Sequence, residues 1–206
     1  MPVTYSYNEI ETTMRKAALG LGWPGGIAER FGLAAAYLER HGVSGIEPIL
    51  SLLEKGPVAA KPEYGSGTAC FNDAGGLAFI AGLDLLAARS VRRIEFGESE
   101  NCDALIGLAG AAASEYSLGI SLESGGEVFA SVFERRLMLR EGGTESGGAV
   151  AAALLPRSEC RIAVAERKEL DPAAWSKAQA LAALTLVPST DASRLLGAGA
   201  GLHDND

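Results

Sequence analysis

The segment Tyr116–Phe133, with the sequence YSLGISLESGGEVFASVF, decides the fold class of this chain. Apolar residues alternate in its first half with small or polar ones, which is the period-two pattern of a strand with one buried face. The turn residues Ser124–Gly126 interrupt that pattern, and Val128–Phe133 follows them. The segment therefore predicts a β-hairpin, so we expect a fold that contains a sheet.

Further strands are predicted on both sides of this hairpin. Upstream, Ile94 and Phe96 alternate with charged residues. Downstream, the predicted strand residues are Leu137, Leu139, Val150–Leu155 and Cys160–Val164, with a polar, glycine-rich turn region at Glu141–Gly148. Because the links between these strands are too short for helical crossovers, we expect a mainly antiparallel sheet.

Two segments give no clear pattern. Residues 57–76 are rich in Gly, Pro, Ala and Ser and are predicted to form an irregular loop. The apolar run Ala104–Ala113, within residues 103–115, fits either a buried strand or a helix, because so short a run has no readable period. Between these segments, Leu77–Arg89 is apolar enough to predict a buried helix.

The N-terminal quarter predicts three short helices. Ser6 and Glu9 form a capping box, in which each side chain satisfies a backbone donor at the start of a helix. Ser44 and Glu47 have the same spacing and predict a second such box. Apolar residues recur at helical spacing after each start, and Gly42 is expected to end the second helix.

A C-terminal helix is predicted from Asp171 to about Ala183. Asp171 is a good N-cap, and Pro172 fits the first helical position. We expect its inward face to carry Trp175, Ala178, Ala182 and Leu186. A last short helix is expected to begin at Ser189–Asp191 and to stop at Gly197.

These elements predict an α+β fold, with N-terminal helices packed on a mainly antiparallel sheet and a C-terminal helix with a glycine-rich tail. At 206 residues, the chain is expected to form one domain over residues 1–206. Its helical part covers residues 1–89, its mainly β part residues 90–166, and its C-terminal helices and tail residues 167–206.

Composition restricts the partners and the location. The formal net charge of -8 and the pI near 4.9 predict that neither nucleic acid nor an anionic membrane surface is the main partner. Three widely spaced cysteines, Cys70, Cys102 and Cys160, are typical of free thiols in a reducing compartment. The first residues lack the basic and apolar regions of a signal peptide, so we expect a cytoplasmic location.

The tail is the first candidate site. Alternating glycines allow backbone amides to approach an anion closely, and a serine and an arginine precede them as side-chain donors. The alternative is a helix C-cap followed by a frayed polar terminus. The candidate ligand-binding residues are Ser193, Arg194, Gly197, Gly199, Gly201, Asp204 and Asp206.

The loop Gly65–Cys70 is a second candidate. It could cradle a phosphate, or present Ser66 or Cys70 as a nucleophile activated by a base such as His41 or His203. The alternative is an ordinary glycine-rich loop with an incidental serine.

Charged residues near the predicted sheet and helices are further candidates. The arginine pairs Arg92–Arg93 and Arg135–Arg136 lie in predicted strands and could bind a carboxylate or phosphate, or else pair with Glu95 and Glu134. Asp84 could be a buried acid with a raised pKa, or could mark the edge of the buried face of its helix. Trp23, Phe31 and Trp175 are predicted core residues.

Two stretches, one near each end of the chain, resemble a known family. At the N-terminal end the matching residues are Asn8–Glu11, Lys16–Ala18, Gly22, Gly26, Ala28, Glu29 and Gly32. At the C-terminal end they are Val187–Arg194, Gly197–Gly201 and Asp204–Asp206. Together they resemble a bacterial family known as domain of unknown function 3726. The resemblance implies a one-domain protein without an assigned activity, and it makes the tail part of the family's pattern.

Two hypotheses of function follow. In the first, the protein binds or transforms a small anionic metabolite through its C-terminal Ser-Arg and Gly-rich segment. In the second, it is a non-catalytic interaction protein that forms a homo-oligomer or an accessory complex. The sequence assigns no catalytic residue and no cofactor, and it predicts no metal site.

Overall fold

A computed structural model describes residues 5–99, 101–140, 148–155 and 170–186. Within those ranges the chain forms six α-helices and one seven-stranded sheet. The helices are α1 (Tyr7–Gly20), α2 (Gly25–Arg40), α3 (Ile46–Glu54), α4 (Gly76–Ala87), α5 (Cys102–Tyr116) and α6 (Pro172–Ala183). The strands are β1 (Glu63–Tyr64), β2 (Thr68–Phe71), β3 (Arg93–Ser99), β4 (Gly119–Ser124), β5 (Glu127–Phe133), β6 (Arg136–Leu139) and β7 (Gly148–Leu154).

The sheet has the strand order β1-β2-β3-β7-β4-β5-β6 and is mostly antiparallel, which confirms the predicted α+β class. Among the strands that the structure describes, only β2 and β3 pair in parallel. Strand β7 lies between β3 and β4 and is antiparallel to both, so β3 and β4 run in the same direction. The chain therefore passes from β2 to β3 through α4, and from β3 to β4 through α5.

The structure corrects the sequence prediction in two segments of the chain. Residues 57–76, predicted as an irregular loop, contain β1 and β2. These strands have two and four residues, which is too short to show a period in the sequence. The ambiguous run Ala104–Ala113 is helical and belongs to α5. It is buried along its whole length, so no polar face marks it as a helix in the sequence.

The helices lie behind one face of the sheet in two layers. Ile94 and Phe96 of β3, Leu122 of β4 and Val150 of β7 are buried on that face. Helices α4 and α5 contact the strands, and α2 packs against α5. Helices α1, α3 and α6 complete the outer layer, where Trp23 and Phe31 meet edge to face and are buried as predicted.

One of the two predicted capping boxes is present. The Glu9 amide donates to Ser6 Oγ at 3.2 Å, and the Ser6 amide donates to Glu9 Oε2 at 2.7 Å. The predicted box at Ser44 is wrong, because α3 has Gly45 as its N-cap without a side-chain cap. Instead, the Gly45 amide donates to Oε1 of the buried Glu39 at 2.7 Å. Gly45 lies so close to the Ala35 carbonyl that a Cβ there would be 2.4 Å from its oxygen.

The C-terminal helix begins as predicted and ends differently. The Asp171 side chain accepts hydrogen bonds from the amides of Ala173 and Ala174, and Trp175 and Ala178 are buried. Ala182 is only half-buried. Leu186 was expected on the inward face but is 65% exposed, because it lies beyond the end of the helix and no longer follows helical spacing.

The predicted hairpin is confirmed by β4 and β5, with two differences at its borders. Tyr116 belongs to α5, which ends at Ser117 in the left-handed conformation. Leu137 and Leu139 form the separate edge strand β6. The strand predicted at Cys160–Val164 and the last helix from Ser189 lie outside the described residues, as does nearly all of the turn region at Glu141–Gly148. No helix of the described ranges is long and apolar enough to cross a membrane.

Candidate binding groove

A groove of about 600 Å³ runs along α2, between α1 on one side and α5 on the other. Its floor is apolar and its rim is charged, which is the usual composition of a small-molecule site. The lining residues are Glu11, Gly26, Glu29, Arg30, Leu33, Ala36, Tyr37, Arg40, Ala111, Ser114 and Glu115.

Glycines at the helix contacts bring the walls of the groove together. A Cβ at Gly32 of α2 would be 2.5 Å from the backbone oxygen of Glu11, so α1 and α2 touch at that level. A Cβ at Gly110 of α5 would be 2.1 Å from the Tyr37 ring, so this ring lies directly on the α5 backbone. The groove is thus held between three helices that cannot separate without losing buried contacts.

Tyr37 anchors the floor of the groove to the sheet. Its hydroxyl lies 2.9 Å from the Phe133 carbonyl oxygen and 2.7 Å from that of Arg136, and it donates to this pair of acceptors. The side chain is 3% exposed, and burial raises the pKa of the phenol above its ordinary value. Tyr37 is therefore a neutral structural donor at any physiological pH.

At one end of the groove, Arg30 joins three helices. Its guanidinium pairs with Glu115 Oε2 of α5 at 2.9 Å and with Asp84 Oδ1 of α4 at 3.2 Å. It also donates to the Tyr116 hydroxyl at 2.8 Å and lies 5.3 Å from the centroid of that ring. Since the Arg30 side chain is only 15% exposed, its hydrogen-bonding capacity is largely used within the protein.

Asp84 lies at the edge of the buried face of α4, which is one of its two predicted positions, and its side chain is 46% exposed. Burial raises the pKa of its carboxyl, and the nearby charge of Glu115 acts in the same direction. The positive charge of Arg30 lowers the pKa but does not outweigh burial. The raised pKa therefore belongs to a helix-joining cluster, where the carboxylate has Arg30 as its partner.

At the other end of the groove, Arg40 has a different environment. The residue is exposed, and its guanidinium lies 5.3 Å from the centroid of the Tyr7 ring on α1. Within the described part of the chain, no carboxylate forms an ion pair with it. An arginine held against an aromatic ring keeps the N–H edge of its guanidinium available, and that edge matches the two oxygens of a carboxylate.

The structure does not bring together the residues proposed for nucleophilic catalysis at Gly65–Cys70. Cys70 Sγ donates to Glu95 Oε2 at 3.6 Å, while His41 lies at the end of α2, stacked on Tyr37. Burial raises the pKa of the Cys70 thiol, and the hydrogen bond and charge of Glu95 raise it further. These effects favour the protonated thiol, so Cys70 has the opposite of an activated environment.

One arginine of each predicted pair forms an ion pair with a neighbouring glutamate, which is the simpler of the two predictions. Arg93 Nε lies 3.1 Å from Glu95 Oε1, and Arg135 pairs with Glu134 at 3.7 Å. Arg92 and Arg135 were predicted in strands but lie outside them, since β3 begins at Arg93 and β6 at Arg136. The predicted ligand role of these arginines gains no support.

Arg93 also spans strand β7 and reaches Glu123 of β4, with Nη1 2.7 Å from Glu123 Oε2. The side chains that face it on the intervening strand are those of Ala151 and Ala153. They are small enough to leave the long arginine side chain a path over β7.

All seven tail candidates, from Ser193 to Asp206, lie outside the described residues, so that site stays a prediction. The same holds for His203. Across the ranges that the structure describes, no group of three or more His, Cys, Asp or Glu side chains is placed to hold a metal ion.

The residues of the groove were missed by the sequence prediction. Helix α2 was predicted from the apolar residues of its buried face, and no role was assigned to its charged residues. One signal was present: Arg30, Leu33, Tyr37 and Arg40 recur at helical spacing and form a second stripe beside the core face. What the sequence could not show is that α1 and α5 border this stripe.

The fold and the groove define an α+β protein with a cleft between three of its helices. Residues 5–78 match the model of a family described as "Protein of unknown function (DUF3726)". The family predicted from the sequence is thereby confirmed for that segment, which contains Tyr7, Glu11, Arg30 and Arg40 but not α5. The C-terminal stretch of the resemblance lies beyond the matched residues. The comparison with curated proteins found no match to this chain.

Proposed function

We propose that this protein binds a small molecule in the groove along α2, and that Arg40 binds a carboxylate of that ligand. The observation that carries the proposal is a contrast within the groove: Arg30 is paired with two carboxylates, whereas no described carboxylate pairs with Arg40. An anionic ligand was also predicted from the tail, but the proposed site is a different one.

The dimensions of the groove support a small ligand. Its volume of about 600 Å³ is within the usual range of small-molecule sites, roughly 300–1,000 Å³. Leu33, Ala36 and Ala111 provide an apolar floor, which would contribute to affinity by removing ligand surface from water. Polar groups at the rim would then fix the orientation of the ligand.

The lining supports binding rather than nucleophilic catalysis. The hydroxyl of Ser114 lies 2.8 Å from the Gly110 carbonyl oxygen and 3.1 Å from that of Glu134, so its proton is used within the protein. The described residues that line the groove include neither a histidine nor a cysteine. A general base poised to activate Ser114 is thus not part of the described lining.

The proposal is tested by titrating acetate, hexanoate, benzoate and succinate into the protein by isothermal calorimetry. We expect at least one of these carboxylates to bind, and the substitution Arg40→Gln to weaken its binding by about tenfold or more, as for the loss of a charge-assisted hydrogen bond. The matched control is Arg92→Gln, which removes another exposed arginine, outside the groove, and should leave the affinity unchanged. Binding of none of the four, or equal weakening in both variants, would contradict the proposal.

A further inference from the structure

We infer that the ligand of this groove is a zwitterion, with a carboxylate at Arg40, a cationic amino group at Glu11 and a short apolar chain between them. The inference rests on the proposed function and names the class of ligand.

The charges of the groove are not balanced. Glu115 at one end is already paired with Arg30. Glu11 and Glu29 line the groove as well, and neither forms an ion pair with any described residue. A ligand that offers only a carboxylate would bring a third negative charge beside these two, against the single positive charge of Arg40. A ligand that also carries an amino group adds no net charge, and its amino group gives one of these carboxylates a cationic partner.

The spacing selects Glu11 as the partner of the amino group. Tyr7 and Glu11 are four residues apart on α1, so they are neighbours on one helix face about 6 Å apart along the axis. The Arg40 guanidinium lies over the ring of Tyr7, and Glu11 follows Tyr7 by about one turn on the same face of α1. Glu29 lies three turns from Arg40 along α2, roughly 16 Å away, too far for a short ligand.

The floor between the two charged groups is apolar. Ala36 lies one turn before Arg40 on α2 and is 2% exposed, and Leu33 is the next lining residue toward the N-terminus. These side chains offer no hydrogen-bonding partner. The part of the ligand that lies over them is therefore a hydrocarbon chain, which gains from the contact, while a polar linker would lose its hydration.

The test compares three probes of equal chain length, namely hexanoate, hexylammonium and 6-aminohexanoate, by calorimetry on the full chain. We expect 6-aminohexanoate to bind about tenfold or more tightly than hexanoate. In Glu11→Gln that preference should disappear, while hexanoate should bind as well as before or better, because a repelling charge is removed. Glu98→Gln is the matched control, since Glu98 is exposed on β3 and outside the groove.

Chain length gives a second readout. The charges of glycine are too close together to reach both side chains, so glycine should bind no more tightly than acetate. If hexanoate and 6-aminohexanoate bind equally well and both require Arg40, the zwitterion inference is overturned and the carboxylate site stands. If neither compound requires Arg40, the proposed function itself fails.

Discussion

Helix α2 carries two arginines in the same groove. They share a contact with a tyrosine ring but differ in their exposure to solvent and in their ion pairing. Arg30 and Arg40 each lie 5.3 Å from the centroid of a tyrosine ring. Arg30 is largely buried and bound to carboxylates from α4 and α5. Arg40 is exposed, and none of the described carboxylates pairs with it.

The difference separates a structural role from a binding role. A largely buried guanidinium that is bound to two carboxylates and a hydroxyl joins its neighbours and has little left for a ligand. A stacked, exposed guanidinium has lost part of its conformational freedom and keeps its donors, so less entropy is lost when a ligand binds. We therefore assign stability to the Arg30 end of the groove and recognition to the Arg40 end.

The largest effect on stability is expected from Gly110→Ala, which disturbs the packing of α2 on α5. Helix α5 carries Glu115 and Tyr116, two of the partners of Arg30. The new Cβ would lie 2.1 Å from the buried Tyr37 ring, so the ring or the helix must shift. We expect a loss of about 1–3 kcal/mol in the free energy of unfolding, measured by urea denaturation. The control is Gly26→Ala in the same groove, where a Cβ meets nothing within 4 Å. Equal stability of the two variants would contradict the close packing of α2 on α5.

A smaller loss is expected from Arg30→Leu. The substitution leaves Asp84 and Glu115 without their cationic partner, but both carboxylates are almost half exposed and regain hydration. We expect a loss of about 1–2 kcal/mol in the free energy of unfolding, less than for a fully buried ion pair.

The variant Arg40→Leu makes the same change at the other arginine, so the two losses in the free energy of unfolding can be compared directly. This variant should change the free energy of unfolding by no more than about 0.5 kcal/mol, as is usual for exposed positions. If Arg40→Leu were as destabilising as Arg30→Leu, the two ends of the groove would share a structural role and the contrast would be lost.

The smallest effect is expected in the pH dependence of the free energy of unfolding. The folded-state pKa of Asp84 is raised above 3.8, so the folded protein binds this proton more tightly than the unfolded chain does. The carboxyl therefore contributes stability at low pH, and that contribution is lost as the pH rises through the folded-state pKa. Compared with Asp84→Asn, the wild-type free energy of unfolding should fall as the pH rises from about 3.8. A wild-type stability that rises relative to the variant over this range would show that Arg30 outweighs burial.

Local signals in the sequence predicted those features that depend on neighbouring residues. The capping box of α1, the N-cap of α6 and the β4–β5 hairpin each occupy a few adjacent positions, and all three are present. Strands β1 and β2 were missed because their pairing partners, and the helix α4 that covers β2, are what stabilise them. A short strand at a sheet edge carries little pattern of its own.

The groove could not be predicted from the sequence, because tertiary packing brings its residues together. Tyr7 and Arg40 are far apart in sequence, and only the antiparallel packing of α1 on α2 brings them together. Arg30 and Arg40 look alike in the sequence, since each is a charged residue at helical spacing beside the core face. What distinguishes them is the presence or absence of α4 and α5 carboxylates, which is a property of the fold.

The most direct test of the carboxylate site is a nuclear magnetic resonance titration of the isotope-labelled protein with hexanoate. We expect the largest chemical-shift changes at the Arg40 side-chain Nε–H and at the backbone amides of Tyr7, Glu11 and Ala36, with the Arg30 Nε–H little affected. Saturable changes centred on the Arg30 cluster or on the Arg93–Glu123 face of the sheet, with Arg40 unperturbed, would contradict it.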